Sequence, residues 1–455
     1  MWDSRTRYEF FTEVWGGKRR IMMTRSEQNQ TWNLRINPLA AIAASTIMFV
    51  LVVATIPAAQ AQTFAVISSF AGFQGSTPMA GLTMDYAGNL YGTTRTGGDF
   101  YGGYYCMLYQ YNGCGTVFRL SRHGSSWLYS TLYQFHSYDG AYPQTSVTFG
   151  ANGVLYGSTG LGGICGGFGC GTVFKAAPGP RAPVTALTFW TETVLWPFSG
   201  GNDGGPYPSE VIFDSAGNMY GTTVGGAYSA GNVFEMTPYG QCWNESVLYT
   251  FTGGDDGLYP HGVVFDAAGN LYGATREGGN NGCSPYSGCG TVYELTPSAS
   301  GWTKTILHVF DPATEGGGPG HVILDKAGNI YGATRGAVNP GIVWELSPSN
   351  GGWVFQVLYR FTGYNDWGPE GRLTLDAAGN LYGISNGHGP ANYGEVFKLS
   401  PYNGSWIYTD LYDFQGTDDG CYPYGFVTLD ASGNIYGTAS ECGANLVGTV
   451  WEITP

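Results

Sequence analysis

The sequence predicts an all-β chain closed into a seven-bladed β-propeller of four-stranded blades. Three observations predict it. A phrase of eight residues returns along the chain, each repeat holds four strand-like segments, and the two ends carry partial repeats that complete each other.

The phrase is DAAGNLYG at 266–273, and it stands unchanged at 376–383. Variants occupy 85–92, 214–221, 325–332 and 430–437, with a weaker form, GANGVLYG, at 150–157. The copies are 51 to 65 residues apart. Periods of about 50 residues belong to propellers and related arrays. Composition agrees: 74 Gly, 15% aromatic and 11% charged residues among 455. Disordered chains lack aromatics and are rich in charge, whereas many short strands joined by Gly-rich turns have this balance.

Each repeat is read in order. The first strand is short and alternating, as in VTLD at 427–430. The D-x-x-G-N that follows is a tight turn, in which Asp bonds its own backbone two residues on and Gly supplies a positive φ. A calcium loop would need several carboxylates at alternating positions, and this segment offers one. The second strand is of the NLYGTT type, and the third is G-x-V-aromatic, such as GTVF at 115–118. The fourth runs from an aromatic to a Phe eight residues later, as from Trp127 to Phe135 and from Trp243 to Phe251. That even spacing predicts both rings on one face of the strand, filling the space between stacked sheets. The constant Tyr of the phrase (91, 156, 220, 272, 331, 382 and 436) reads as packing between blades, its hydroxyl bonded to a neighbour. The last repeat stops after its third strand at Trp451, while QTFAVISSF at 62–70 matches a fourth strand ending at Phe70. In a ring the N-terminal strand completes the last blade and no edge stays open. A β-solenoid needs no such exchange.

Residues 1–61 read differently. Lys18, Arg19, Arg20, Arg25 and Arg35 precede an apolar run from Leu39 to Ile56, followed by Ala59-Gln60-Ala61. This is the pattern of a signal peptide cleaved before Gln62 or, given the length of the run, of an uncleaved N-terminal membrane anchor. Met22 and Met23 are alternative starts that give a more ordinary leader. The propeller is then one domain, 62–455, expected as a monomer that is secreted, periplasmic or held at the cell surface. It touches a membrane only through the N-terminal segment, if that is retained. From Gln62 onward 12 basic residues face 29 acidic ones. Such a surface repels phosphate backbones, which excludes nucleic acid as a partner.

The tandem phrase, the Gly-rich loops and the export pattern together resemble the bacterial GloVer repeat proteins over the whole chain after residue 62. The resemblance implies a propeller-like array. Members often carry a C-terminal sorting anchor; the chain ends at VWEITP, and none is expected here. No activity is established for the family, so it transfers no catalytic residue.

Nine Cys follow the leader. Cys106/Cys114, Cys165/Cys170 and Cys283/Cys289 form close pairs, each between the second and third strands of a repeat. These are the three longest such connections, and a local bridge reduces the cost of ordering a long loop. Cys421 and Cys442 make a fourth candidate pair, because both connections emerge on the same face. Cys242 is left as a buried or free thiol. Zinc is the rival reading, but the pairs sit on different blades and no His neighbours them.

Propeller ligands commonly sit on the loop-rich face near the channel, an analogy at the level of fold. That face carries GGNDGG (200–205), GGDDG (253–257), YNDWG (364–368) and TDDG (417–420), with Tyr207, Tyr259 and Tyr422 beside them. Acidic groups beside rings suit sugars or cations; the alternative is solvated turns whose Asp caps its own backbone. The residues leading into the inner strands break the repeat most: Gln144, Glu210, His261, His321, Glu370, Arg372 and Tyr424. His261, His321 and Glu370 have the chemistry of a base pair or a metal site if they converge; otherwise they are simply variable loop residues. Arg95, Arg276 and Arg335 end second strands on the same face, and would hold an anionic ligand or pair with loop Asp. No catalytic motif, metal site or cofactor is called for. The expectation is an exported protein that binds a carbohydrate or a surface protein. The alternative is a polysaccharide lyase, hydrolase or lactonase acting at the channel mouth.

Overall fold

The computed structural model describes residues 10–15, 18–23, 62–99, 106, 113–165, 169–179, 190–225, 230–279, 289–336, 341–362, 368–369 and 371–455. The chain divides into two units, 1–61 and 62–455. In the first, Phe10–Trp15 and Lys18–Met23 form an antiparallel hairpin. Residues 39–61, with the apolar run and the Ala59-Gln60-Ala61 pattern, lie outside the described residues. Among the described residues no helix is long and apolar enough to cross a membrane.

The second unit is built of seven four-stranded antiparallel sheets, each taking its strands in chain order except the last. Blade 1 starts at Thr83, blade 2 at Thr148, blade 3 at Ile212, blade 4 at Leu258, blade 5 at Ile323, blade 6 at Thr374 and blade 7 at Cys421. In blade 7 the outer strand is Thr63–Ser69, which pairs with Thr449–Thr454 from Thr63↔Thr454 to Ser69↔Thr449. The ring is therefore closed by the N-terminal strand, as the matching chain ends predict.

The repeated phrase has a separate reason for almost every letter. Asp85 Oδ1 accepts the amides of Ala87 and Asn89, and its Oδ2 accepts the Asn89 side-chain amide and the Tyr91 hydroxyl. The same four bonds recur around Asp214 and around Asp430. The Tyr ring packs on the following blade: Tyr436 against Trp127, Tyr156 against Trp243, Tyr272 against Trp353. The Gly after Tyr is set by packing. A Cβ on Gly92 would lie 2.7 Å from the Phe118 ring, and one on Gly437 2.2 Å from the Trp451 ring. The third-strand aromatic lies over the bare backbone of the second strand.

One expectation is corrected. The two rings of the fourth strand do not share a face. Trp127 packs on Tyr436 of the preceding blade, whereas Phe135 packs on Phe174 of the following one. The cause is a β-bulge between the third and fourth strands, present at the same place in every blade. In blade 1 the register passes from Phe118↔Thr131 to Val117↔Tyr133, so one extra residue reverses the alternation. The bulge lets one strand fill two interblade seams, Trp on one side and Phe on the other.

Cys106–Cys114, Cys165–Cys170 and Cys421–Cys442 are disulfides, closing sequence separations of 8, 5 and 21 residues. Cys289 is disulfide-bonded as well; Cys283 lies outside the described residues. Each local bridge stabilises a loop by roughly 2–3 kcal/mol, and together they fit an extracytoplasmic location. Cys242 is free and exposed, not buried. Denatured without reductant, the chain is expected to react as a single-thiol protein in a thiol-counting assay. Additional reactive thiols would remove one or more of the bridges.

Candidate functional site

Each repeat enters its inner strand through a Pro, and the two residue columns after that Pro face the channel mouth in turn. The deeper column, four residues before the turn Asp (Gly150 in blade 2), holds Gly81, Ser146, Glu210, Gly262, His321, Arg372 and Phe426 in blades 1 to 7. These side chains meet across the channel. The Arg372 guanidinium of blade 6 donates to Glu210 Oε1 of blade 3 at 2.6 Å. The Ser146 hydroxyl of blade 2 donates to the other oxygen, Oε2, at 2.5 Å. His321 Nδ1 of blade 5 lies 3.7 Å from Glu210 Oε1. Arg372 also stacks on the Phe426 ring of blade 7, 3.9 Å from its centroid. Glycine makes room for the rest: a Cβ on Gly262 would sit 2.5 Å from His321 Nδ1, and one on Gly81 would meet the Phe426 ring at 2.4 Å. The result is a side-chain plug with Glu210 at its centre, only 12% exposed.

The plug sets the protonation of its members. Burial alone would raise Glu210, but Arg372, His321 and the Ser146 hydroxyl outweigh it and hold the carboxyl below its usual range. Burial pushes His321 down, with Arg372 adding to the push and Glu210 opposing it. His261, one column nearer the mouth on blade 4, packs edge-on to His321 at 5.7 Å between ring centroids. Burial first, then His321, Arg276 and Arg335, bring it to about 3, so it is neutral at physiological pH.

Arg276 and Arg335 flank one loop glycine: a Cβ on Gly318 would lie 3.7 Å from Arg276 Cγ and 3.9 Å from Arg335 Cδ. Arg276 is exposed and makes no ion pair among the described residues. Arg95 does not join this pair. It sits on blade 1, its guanidinium over the Tyr142 ring at 5.6 Å and its Nη1 3.7 Å from Met79 Sδ. Gln144 packs beside Gly160 on blade 2, outside the plug. Tyr424 is half-buried in the outer column of blade 7. Glu370 lies outside the described residues.

The acidic loops are caps. Asp203, Asp256 and Asp419 accept the backbone amides of Ser199, Thr252 and Gln415, four residues earlier. Asp256 and Asp419 also accept the hydroxyls of Tyr249 and Tyr412. Residues 363–367, which include most of YNDWG, lie outside the described residues. Tyr207, Tyr259 and Tyr422 precede prolines at φ of 62°, 59° and 53°. A pre-proline residue favours extended backbone, so this rim is strained.

Ser146 and Phe426 are functional neighbours that sequence reasoning missed. The signal was in their position: both occupy the column of Glu210, His321 and Arg372. On the opposite face a wide cleft of about 1020 Å³ opens beside the turns of blades 7, 1 and 2. Its carboxylates, Asp85 and Asp430, are consumed by their own turns, so the cleft offers no convergent chemistry.

A family model, the Gloeobacter/Verrucomicrobia repeat, matches residues 185–376 and 319–455. The chain belongs to this repeat family. No curated protein matches it. Among solved structures, a candidate 6-phosphogluconolactonase from Bacteroides uniformis is similar at 14% identity and a TM-score of 0.47, over 76% of this chain and 86% of that one. A gluconolactonase from Xanthomonas campestris is similar at 12% identity and 0.39, over 67% and 82%. A candidate glucose dehydrogenase from Thermus thermophilus is similar at 15% identity and 0.42, over 86% and 99%. At such identities and scores these likenesses bear on neither ligand nor activity.

Proposed function

We propose that this repeat protein is an exported binding protein whose channel mouth takes an acidic carbohydrate, a sugar bearing a carboxylate. One observation carries the reading: Arg276, Arg335 and neutral His261 gather above the plug, in a chain that is otherwise strongly acidic. Two Arg stems flank one glycine, and both Arg charges act on His261; Arg suits a carboxylate because it binds one through paired N–H groups. A neutral imidazole adds a donor and an acceptor that suit sugar hydroxyls.

The enzyme reading is second, favoured by two imidazoles beside an ionised carboxylate. Burial and the neighbouring cations weigh against it. A general base works best with a pKa near the operating pH, and His261 near 3 is a poor proton acceptor there.

Calorimetric titration with oligogalacturonate and alginate oligomers is expected to show binding, with neutral cello-oligomers inert. Arg276→Ala with Arg335→Ala is expected to weaken it roughly tenfold or more, the effect of losing charge-assisted hydrogen bonds. Binding that survives the double substitution, or no binding of either acidic oligomer, would sink the proposal. Conversion of a bound sugar, lost in His321→Gln, would instead establish the enzyme.

A further inference from the structure

Blade 6 breaks the repeat at three touching positions. Where the third strand opens, the register pairs are Thr116↔Gln134, Asn232↔Thr250 and Thr291↔Val309 in blades 1, 3 and 4, but Glu395↔Asp413 in blade 6. At the bulge, Phe118↔Thr131 and Phe234↔Val247 become Phe397↔Asp410. Three uncharged positions thus become carboxylates together, in one blade only among the pairs compared. Packing repeats with the fold, so a concerted departure from it asks for another cause.

The three carboxylates converge: one oxygen each from Glu395, Asp410 and Asp413 lie within 4.8 Å of one another. The loop that follows the second strand adds His388, whose Nδ1 is 2.6 Å from Glu395 Oε2. The Glu395 side chain is 2% exposed. No well-aligned hydrogen bond reaches its other oxygen, Oε1, or Asp413 Oδ1, although the Tyr408 hydroxyl lies near Glu395 and Asp410 lies beside Asp413. A buried carboxylate oxygen with no donor costs several times what an ordinary hydrogen bond returns. One imidazole at most balances one of three negative charges.

We infer that Glu395, Asp410 and Asp413, with His388 beside them on Glu395, form a binding site for a divalent metal ion at the outer part of blade 6. Three clustered carboxylate oxygens with an imidazole bonded to one of them suit Mn²⁺ or Zn²⁺; Ca²⁺ takes roughly six to eight oxygen donors, more than this cluster offers. The seam around the site is firm. Tyr408 stacks on Tyr359 of blade 5 at 4.4 Å, and His388 packs edge-on to Phe361 of that blade at 5.7 Å. The ion would join the second-to-third loop of blade 6 to its outer strand, next to blade 5. This inference is independent of the carbohydrate proposal, since no residue is shared.

The test uses the full chain stripped with chelator and titrated with MnCl₂, ZnCl₂ and CaCl₂, followed by calorimetry and thermal melting. One equivalent of Mn²⁺ or Zn²⁺ is expected to bind and to raise the melting temperature, because a ligand that binds only the folded state stabilises it. Asp410→Asn, at an exposed position that leaves the fold intact, is expected to weaken binding by about 10–100-fold, as does Glu395→Gln if it folds. Three outcomes would overturn the inference: no saturable binding of either transition ion, unchanged affinity in Asp410→Asn, or Ca²⁺ binding more tightly than both.

Discussion

A chain shortened to begin at Ala71 is expected not to fold. The loss would be the outer strand of blade 7, and with it the ladder that joins the two ends of the ring. Thr63–Ser69 supplies six register pairs to Thr449–Thr454. Its rings also fix the neighbours: Phe64 stacks on Tyr412 of blade 6 at 3.7 Å, and Phe70 packs on Phe118 of blade 1 at 5.2 Å. Phe70 is 1% exposed, so Phe70→Ala alone should cost about 3–5 kcal/mol. Removal of the whole strand adds lost ladder bonds and bares an edge of the third strand to aggregation. The sum approaches the total stability of an ordinary domain, about 5–15 kcal/mol. Circular dichroism melting of 62–455 against 71–455 checks this. Similar cooperative melts for the two would mean that the ring holds without its clasp.

The second large effect concerns the plug. Arg372→Ala is expected to destabilise the protein by about 3 kcal/mol, because it strands Glu210 in the channel without its main counter-charge. Phe426 loses its cation as well, and the partly accessible guanidinium keeps the figure at the low end of the range for buried pairs. Replacing both partners by neutral residues of like shape, Glu210→Gln with Arg372→Met, should recover much of the loss. A single and a double variant that are equally unstable would show that the pair is not coupled.

The plug also predicts how stability falls in acid. His261 favours its neutral form when folded, so its contribution is complete above 6.5 and is eroded as pH falls from 6.5 towards 3. Glu210 favours its ionised form, so its contribution is present above 4.5 and is lost as pH falls through its lowered folded value. Glu192 and Glu245, which burial raises to about 8 and about 7, act in the opposite direction, so the plug's share of the pH dependence of the urea midpoint is read by comparing variants. His261→Gln should reduce the loss of midpoint between pH 6.5 and 4.5 and leave the share of His321, which burial also holds down. Identical pH profiles for the protein and His261→Gln would contradict the placement of His261.

The two effects differ in how far they were legible beforehand. The clasp follows from comparing the first strand with the others. The plug required knowing that Glu210 and Arg372, 162 residues apart, face each other across an axis. Both were candidates, yet nothing in their spacing pairs blade 3 with blade 6. Arg95 shows the converse. It shares its column with Arg276 and Arg335, but the Tyr142 ring beneath it belongs to blade 2 and holds it elsewhere.

By itself, the sequence determined what repeats and what is local. Seven copies of a turn, the glycine under each third-strand aromatic, the complementary ends and the short Cys pairs all follow from chemistry confined to one repeat or its neighbour. Tertiary structure alone decided what depends on closure. The ion pair across the channel joins non-repeating residues of blades 3 and 6, while the bulge that turns Trp and Phe to opposite seams and the meeting of the carboxylates of blade 6 depend on a strand register that the repeat does not spell out. The physical reason is that a ring places each blade by its partners all the way round, so residues remote in sequence acquire a common centre only once the last strand has docked.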